Sequence, residues 1–164
     1  CLVEQYVYLS ITSNLKVGVT RYSQIPTRWV DQGAHFAIKF AKTPNRYLAG
    51  LIELEISKYI SDRTKWRQML KGDFEKIDLI KMKYQLVKNL SLELASYIDN
   101  DDSITELKYP QINQLEKIIS LNLEKKPDIE GLLTGIKGQY IILDNLYVLN
   151  IRKYTGYFLN FNFY

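Results

Sequence analysis

The sequence predicts an α+β protein: a small N-terminal antiparallel sheet with helices, then a long amphipathic helix, and finally a small C-terminal β-barrel. Three observations predict this order. Residues 5–20 alternate apolar and polar positions, residues 74–98 carry apolar side chains at helical spacing, and short strand-like runs follow residue 104. A hydrophobic content of 46% supports a packed core. We therefore predict three parts, at residues 1–72, 73–100 and 104–164.

The N-terminal part is predicted to begin with a β-hairpin. Residues 5–11 and 15–20 are rich in β-branched and aromatic types, and the connection between them is short. Residues 35–42 alternate in the same way and predict a third strand. Residues 46–61 place apolar side chains on one helical face, and Asn45 before them is a candidate N-cap.

The rest of the chain is predicted to be one helix followed by a barrel. Apolar residues recur every three or four positions through residues 74–98, which predicts a single long helix. The polar stretch at residues 100–103 then marks a boundary. Six strand-like runs with turn residues between them are typical of a small closed barrel: ELKY, KIISLNLE, IEGLLTGIKG, QYIILD, LYVLNI and YFLNFNF.

Charge is unevenly distributed along the chain. Residues 1–70 hold 10 Lys and Arg against 5 Asp and Glu, a net +5, whereas residues 71–164 hold 12 against 13, a net −1. A clustered basic excess suits a polyanion, so nucleic acid is the expected partner. There is one cysteine and no run of about 18 apolar residues, so we expect no internal disulfide, no transmembrane helix and a cytoplasmic location. With neither an initiator Met nor a visible signal peptide, the sequence is interpreted as a fragment or excised domain.

The hairpin region resembles the GIY-YIG nuclease domains. Tyr6-Val7-Tyr8, then Lys16–Thr20, then Arg28, a third strand and a helix carrying Glu53 follow the order of that family. The resemblance implies a phosphodiesterase in which Tyr8 and Lys16 flank the scissile phosphate. It also implies that Arg28 stabilises the phosphate charge and that Glu53 holds one Mg²⁺.

The chain departs from the GIY-YIG pattern at three positions. Tyr6 stands where glycine is usual, Lys16 replaces the tyrosine of the second motif, and Gln32 stands where some members carry histidine. The loss of the second tyrosine puts the usual activation of water in question.

Two of the implied roles have competing residues. Arg28 lies ten residues after Gly18, about two more than the pattern expects, and Arg21 is the alternative arginine. On the predicted helix Glu55 falls within the apolar face and Glu53 at its edge, so Glu55 is the alternative acid. We take Arg28 and Glu53 as the first choices.

A longer resemblance covers most of the chain. The strings KVGVTR, PTRWVDQGA, RYLAGLIE, SDRTKWRQML, GLLTGIKGQYIILD and VLNIRKYTGY resemble a prokaryotic family catalogued as domain-of-unknown-function family 2797. This resemblance implies little about activity. It implies cysteine-rich sequence upstream in full-length members, so zinc is expected only if such a region exists, with Cys1 as one of its ligands.

Basic and aromatic residues outside the hairpin suggest further contacts to nucleic acid. Bases stack on aromatic rings and phosphates pair with Arg and Lys. The candidates are Trp29, Arg63, Trp66, Arg67, Lys137, Arg152 and Lys153. Structural alternatives stay open for them, namely a helix cap with intrahelical pairing at residues 62–67 and a strand bend at residues 135–140.

Three functional hypotheses follow from the sequence. The first is a metal-dependent nuclease or a nuclease-derived relative acting on nucleic acid. The second is a non-catalytic module that binds nucleic acid through the same basic surface. The third is a protein-interaction domain with no polyanion partner.

Overall fold

Strand β1 (Gln5–Ile11) pairs antiparallel with β2 (Leu15–Arg21) in the computed structural model, which describes residues 3–60, 64–162 and 164. The pairing sets Tyr8 opposite Gly18 and Ser10 opposite Lys16. Both predicted strands are therefore present, and the alternation of their side chains produces two chemically different faces.

The first sheet has four antiparallel strands in the order β2-β1-β3-β4. The predicted third strand is β3 (Phe36–Thr43), and β4 (Ile104–Glu106) returns much later in the chain to pair with it. The pairing of β1 with β3 shifts register between Val7 and Tyr8, which locally disturbs the ladder at Tyr8.

Five helices are present among the described residues: α1 (Thr27–Asp31), α2 (Arg46–Ser57), α3 (Trp66–Lys71), α4 (Leu79–Val87) and α5 (Leu92–Ala95). The largest core joins α2 and α4 to one face of the sheet, where Val7, Leu9 and Ile11 are buried. The predicted N-cap of α2 is confirmed, because the Asn45 side chain accepts a hydrogen bond of 3.0 Å from the Leu48 N–H.

The single long helix predicted over residues 74–98 is wrong. Residues 74–77 are not helical. The side chains of Asp78 and Ser91 each accept a hydrogen bond from the backbone N–H three residues later, as N-caps do. The segment is thus two short helices, α4 and α5, with a break between them. Apolar spacing continues across the break because both helices pack on the same core, and so periodicity alone concealed it.

The second sheet is open, so the predicted closed barrel is wrong. It has four strands in the order β5-β8-β7-β6: β5 (Ile119–Ser120), β6 (Leu133–Lys137), β7 (Tyr140–Leu143) and β8 (Tyr147–Asn150). The first predicted run contributes only its glutamate, to β4 of the other sheet, and the last run forms no strand in its described residues. Four strands, one of them two residues long, are too few to close a barrel.

The chain divides into two compact units, Cys1–Lys108 and Tyr109–Tyr164. The first unit contains the first sheet and all five helices, and the second contains the open sheet. Within the described residues, no helix has the length and apolar character needed to cross a bilayer.

An acidic clamp, formed by Asp101 and Asp102, holds α4 against the first sheet. The fully buried Lys83 donates hydrogen bonds to the Asp101 carbonyl (3.1 Å) and the Asp102 carboxylate (2.9 Å), and Tyr84 donates to the same carboxylate at 2.7 Å. Lys39 on β3 pairs with Asp101 at 3.0 Å. The clamp thus joins α4 and β3 through the segment that precedes β4.

Acid is expected to weaken this clamp. Hydrogen bonds from Ser103 and Lys39 hold the pKa of Asp101 below its usual range, and hydrogen bonds from Lys83 and Tyr84 lower the pKa of Asp102. A depressed folded-state pKa contributes stability above the unfolded pKa of about 3.9, and this is lost as pH falls through the folded value. We expect the melting temperature of the protein to decrease when the pH is lowered below about 4. Asp101→Asn and Asp102→Asn should flatten that fall, whereas the exposed Asp73→Asn should not.

Candidate functional site

Tyr8 lies on the face of the first sheet that faces away from the main core. Its ring crosses over Gly18, and a Cβ added at Gly18 would lie 2.6 Å from the Tyr8 hydroxyl oxygen and 2.7 Å from Cζ. No side chain other than hydrogen leaves room for that ring. The Val-Gly of the second strand motif therefore shapes the position of the tyrosine in the first.

Helix α1 covers Tyr8. Trp29 from this helix packs edge-on against Tyr8, with ring centroids 6.0 Å apart, and Ala34 and Ala37 complete a second small core. Tyr8 is 0% exposed and Trp29 is 3% exposed. Trp29 therefore offers no free ring face to a base, in contrast to its expected role in stacking.

Three polar side chains act on the Tyr8 hydroxyl. Burial raises the pKa of Tyr8, the positive charge of Arg28 and the proximity of Arg28 and Gln32 oppose that rise, and the negative charge of Glu53 adds to it. Arg28, Gln32 and Glu53 are each half-buried. Arg28 and Gln32 thus lie beside the Tyr8 hydroxyl, whereas Glu53, on a helix that packs against the other face of the sheet, acts on it only through its charge.

The buried polar atoms around Tyr8 lack ordinary hydrogen bonds. Within the described part of the chain, Tyr8 Oη, Ser10 Oγ, Trp29 Nε1 and Gln32 Oε1 have no partner at standard geometry. Arg28 and Gln32 approach the hydroxyl without completing such a bond. We call Tyr8, Ser10, Trp29, Gln32 and Arg28 the Tyr8 cluster. Buried polar groups are nearly always paired, so this grouping is unusual.

The two basic residues of β2 differ in position. Lys16 lies opposite Ser10, on the same face as Tyr8, and is half-buried. Arg21 ends the strand opposite Gln5 and is exposed. The pKa of Tyr8 responds to Arg28, which supports the choice of Arg28 over Arg21.

The two acidic residues of α2 also differ in their surroundings. Glu55 accepts hydrogen bonds of 2.7 and 2.8 Å from Lys58 one turn later, which is an ordinary surface ion pair. Glu53 instead places its charge near the Tyr8 hydroxyl. Glu53 therefore stays the predicted acid of this site.

Helix α3 begins beside the tip of the hairpin. The Lys65 N–H donates to Ser13 Oγ at 2.9 Å, and the hydroxyls of Thr12 and Thr64 are 3.2 Å apart. The Arg67 guanidinium lies 4.2 Å from the centre of the Trp66 ring. Trp66 and Arg67 thus lie near the hairpin end that carries Lys16, whereas the predicted Arg63 falls outside the described residues.

The predicted basic residues of the second unit have different environments. Arg152 and Lys153 are exposed in the 3₁₀ turn Ile151–Tyr154. Lys137 is 3% exposed, and its ammonium lies 5.5 Å from the centre of the Tyr109 ring. Burial lowers the pKa of Lys137 to about 8. Lys137 is therefore a core residue and does not offer its charge to a phosphate.

The side chains that could hold a metal at this site offer oxygen ligands. Among the described residues, no three side chains of His, Cys, Asp or Glu come together. The His35 ring stacks on Phe74 with centroids 4.3 Å apart, and Cys1 lies outside the described residues. The Gln32 side chain lies beside Tyr8 and the Glu53 carboxylate acts on it through its charge, and hard oxygen ligands such as theirs suit Mg²⁺, which keeps several of its waters.

Two members of the Tyr8 cluster, Gln32 and Ser10, had no predicted role. The strand alternation that put Tyr8 on one face also put Ser10 there, and the four-residue spacing from Arg28 to Gln32 is the spacing of neighbours on a helical surface. Both signals were present in the sequence. The burial of Trp29 had no such signal, because an indole within a polar segment fits a surface equally well.

Comparison with known proteins gives a family and no activity. The family model described as "Protein of unknown function (DUF2797)" matches residues 1–159. No curated protein and no solved structure shows a significant match to the chain.

Proposed function

Since the chain belongs to this family of proteins of unknown function, its chemistry has to come from the site itself, and we propose that the first unit is a Mg²⁺-dependent nuclease. The observation that carries the proposal is that the buried Tyr8 hydroxyl lies beside Arg28 and within reach of the negative charge of Glu53. The transition state of phosphodiester cleavage is stabilised by a cation, a hydrogen-bond donor and a carboxylate placed close together.

Each side chain has a distinct task in this proposal. Arg28 neutralises charge on the non-bridging phosphate oxygens. Because burial raises the pKa of Tyr8, its phenol stays protonated at neutral pH and donates a hydrogen bond to phosphate instead of accepting a proton. Lys16, on the same face, adds positive charge along the strand.

The metal fits the residues present. Glu53 would hold Mg²⁺, with the Gln32 amide oxygen as a second ligand, and both are half-buried oxygen donors. A bound Mg²⁺ supplies Lewis-acid stabilisation of developing negative charge. The protein's own contribution is to position the phosphate with Arg28 and Tyr8.

A second candidate function is binding of nucleic acid without cleavage. One observation favours it: burial holds the Tyr8 phenol protonated, so Tyr8 does not serve as a base at this site. Arg28 and Lys16, with Trp66 and Arg67, would then form a basic and aromatic binding surface.

Cleavage assays separate the two candidates. Labelled single- and double-stranded DNA and RNA would be incubated with the full chain in Mg²⁺ or in EDTA. We expect Mg²⁺-dependent cleavage that falls by about tenfold or more in Glu53→Gln, the loss of about 1.4 kcal/mol of transition-state stabilisation. Glu55→Gln on the same helix should stay within about twofold of wild type, because Glu55 is occupied by Lys58.

The outcomes exclude different parts of the proposal. Cleavage unchanged by Glu53→Gln would overturn the metal assignment. Salt-sensitive binding with no cleavage, weakened by Arg28→Ala and unaffected by the exposed Arg46→Ala, would select the binding candidate. Absence of binding at low salt would reject both and leave the protein-interaction hypothesis.

A further inference from the structure

We propose that the Tyr8 cluster binds a terminal phosphate, that is, the phosphomonoester at a strand end or on a mononucleotide. This inference rests on the proposed function and adds a ligand of the same site, the phosphomonoester end that hydrolysis of a phosphodiester leaves. The cluster consists of Tyr8, Ser10, Trp29, Gln32 and Arg28, and four of its five side chains carry a buried polar atom with no partner at standard geometry among the described residues.

Because most of these side chains donate hydrogen bonds, the cluster favours an anionic ligand. The Tyr8 and Ser10 hydroxyls, the Trp29 indole N–H and the Arg28 guanidinium are all able to donate hydrogen bonds. The Gln32 amide adds an N–H₂ donor beside its oxygen. A single water accepts about two hydrogen bonds, too few for this set. A phosphate with several acceptor oxygens satisfies it.

Burial selects the end of a chain over its middle. Tyr8 and Ser10 are 0% exposed and Trp29 is 3% exposed, whereas Arg28 and Gln32 are half-buried. In this proposal a phosphate reaches the deep donors past the side chains of Arg28 and Gln32. An internal phosphodiester continues as a chain on two sides, so it keeps only two free oxygens for the deep donors. A phosphomonoester is attached on one side and presents three free oxygens.

The nearby lysine on β3 does not compete with this cluster for a phosphate. Lys39, close to Tyr6 on the same sheet, is bound by Asp101 at 3.0 Å. Its charge is already compensated by a carboxylate. Arg28 supplies the positive charge that acts on the Tyr8 hydroxyl, where the negative charge of Glu53 opposes it, so phosphate recognition depends on Arg28 together with the buried donors.

Fluorescence anisotropy with the full chain in EDTA tests the inference without cleavage. The probes are one short strand with an internal fluorophore, carrying a 5′-phosphate, a 3′-phosphate or hydroxyls at both ends. One phosphorylated form should bind about tenfold more tightly than the hydroxyl form, and AMP should compete where adenosine does not. The phosphorylated strand that binds better identifies the end that is read.

Tyr8→Phe and Tyr6→Phe form a matched pair on the same face of β1. Tyr8→Phe should abolish the phosphate preference, and its melting temperature should not fall because the hydroxyl it removes is unpartnered. Tyr6→Phe, a buried tyrosine whose ring contacts Tyr22, should retain the preference.

The results distinguish this inference from the nuclease proposal. Equal affinity for phosphorylated and hydroxyl strands, or a preference that survives Tyr8→Phe, overturns the inference. If Mg²⁺-dependent cleavage is still lost in Glu53→Gln, the nuclease proposal stands without it. A clear phosphate preference with no cleavage of any substrate supports the inference and overturns the nuclease proposal alone.

Discussion

Gly18→Ala is expected to destabilise the first unit by about 1–3 kcal/mol, the usual cost of overpacking a filled interior. The new Cβ would lie 2.6 and 2.7 Å from two atoms of the Tyr8 side chain, well inside van der Waals contact. A flexible surface side chain would move away, but Tyr8 is fully buried beneath Trp29 and has nowhere to move. Chemical unfolding of the variant measures the cost directly.

The same substitution should disturb the candidate site. Any shift that relieves the contact moves the Tyr8 hydroxyl relative to Arg28, and misplacement by about 1 Å costs about 100-fold in well-organised sites. Binding or cleavage of nucleic acid should therefore fall with stability. A Gly18→Ala variant that keeps both stability and nucleic-acid binding would contradict the described position of Tyr8.

Gly50 provides the matched control. It lies within α2, and a Cβ added there would meet no atom within 4 Å. Gly50→Ala should stabilise the protein by about 0.5–1 kcal/mol because alanine favours the helix. A double-mutant cycle with Tyr8→Ala then isolates the contact. Once the ring is absent, Gly18→Ala should cost markedly less.

Raising the pH from 7 to 10 is expected to strengthen the second unit by about 2–3 kcal/mol through Lys137. The folded pKa of Lys137 is lowered to about 8 by burial, against about 10.4 when unfolded. Between these values the unfolded chain binds more protons than the folded one. Stability therefore rises with pH across this window. At pH 7 the Lys137 ammonium is charged and buried, so the folded protein bears its desolvation cost there.

Lys137→Met tests this directly. It keeps the buried apolar length and removes the ammonium, so the variant should be more stable than wild type at pH 7 and should lose the extra slope. Lys153→Met, at an exposed position, should retain the wild-type slope. Tyrosines that ionise near pH 10 are the same in the wild type and in both variants, so comparing their denaturant unfolding removes the effect of tyrosine ionisation. A Lys137→Met variant that is less stable at pH 7 would contradict the prediction.

The elements built from local signals could be predicted from the sequence. Strict alternation gave β1 and β2 as a hairpin, and the apolar face with a preceding Asn45 gave α2 and its cap. In these segments the local preference and the tertiary contacts agree. The family resemblance over most of the chain is also confirmed, by the model match to residues 1–159.

The elements that depend on distant partners could not be predicted in full. The break between α4 and α5 follows from Ser91 capping a new helix, while apolar spacing simply continues. Barrel closure requires pairing between the outer strands, which no single strand-like run encodes. For the site, sequence order suggested Tyr8, Arg28 and Glu53, but the burial of Trp29 and the unpartnered atoms depend on packing between α1 and the sheet.

The return of β4 to the first sheet determines where this protein can be shortened. Phe36, Ala37 and Ile38 pair with residues 104–106, so a chain ended at residue 72 or 103 would leave that stretch of β3 as a bare edge. Exposed apolar edges recruit strands from other molecules and promote aggregation. Expression of the first unit alone should therefore extend through residue 108, because an earlier stop removes the strand that shields its sheet.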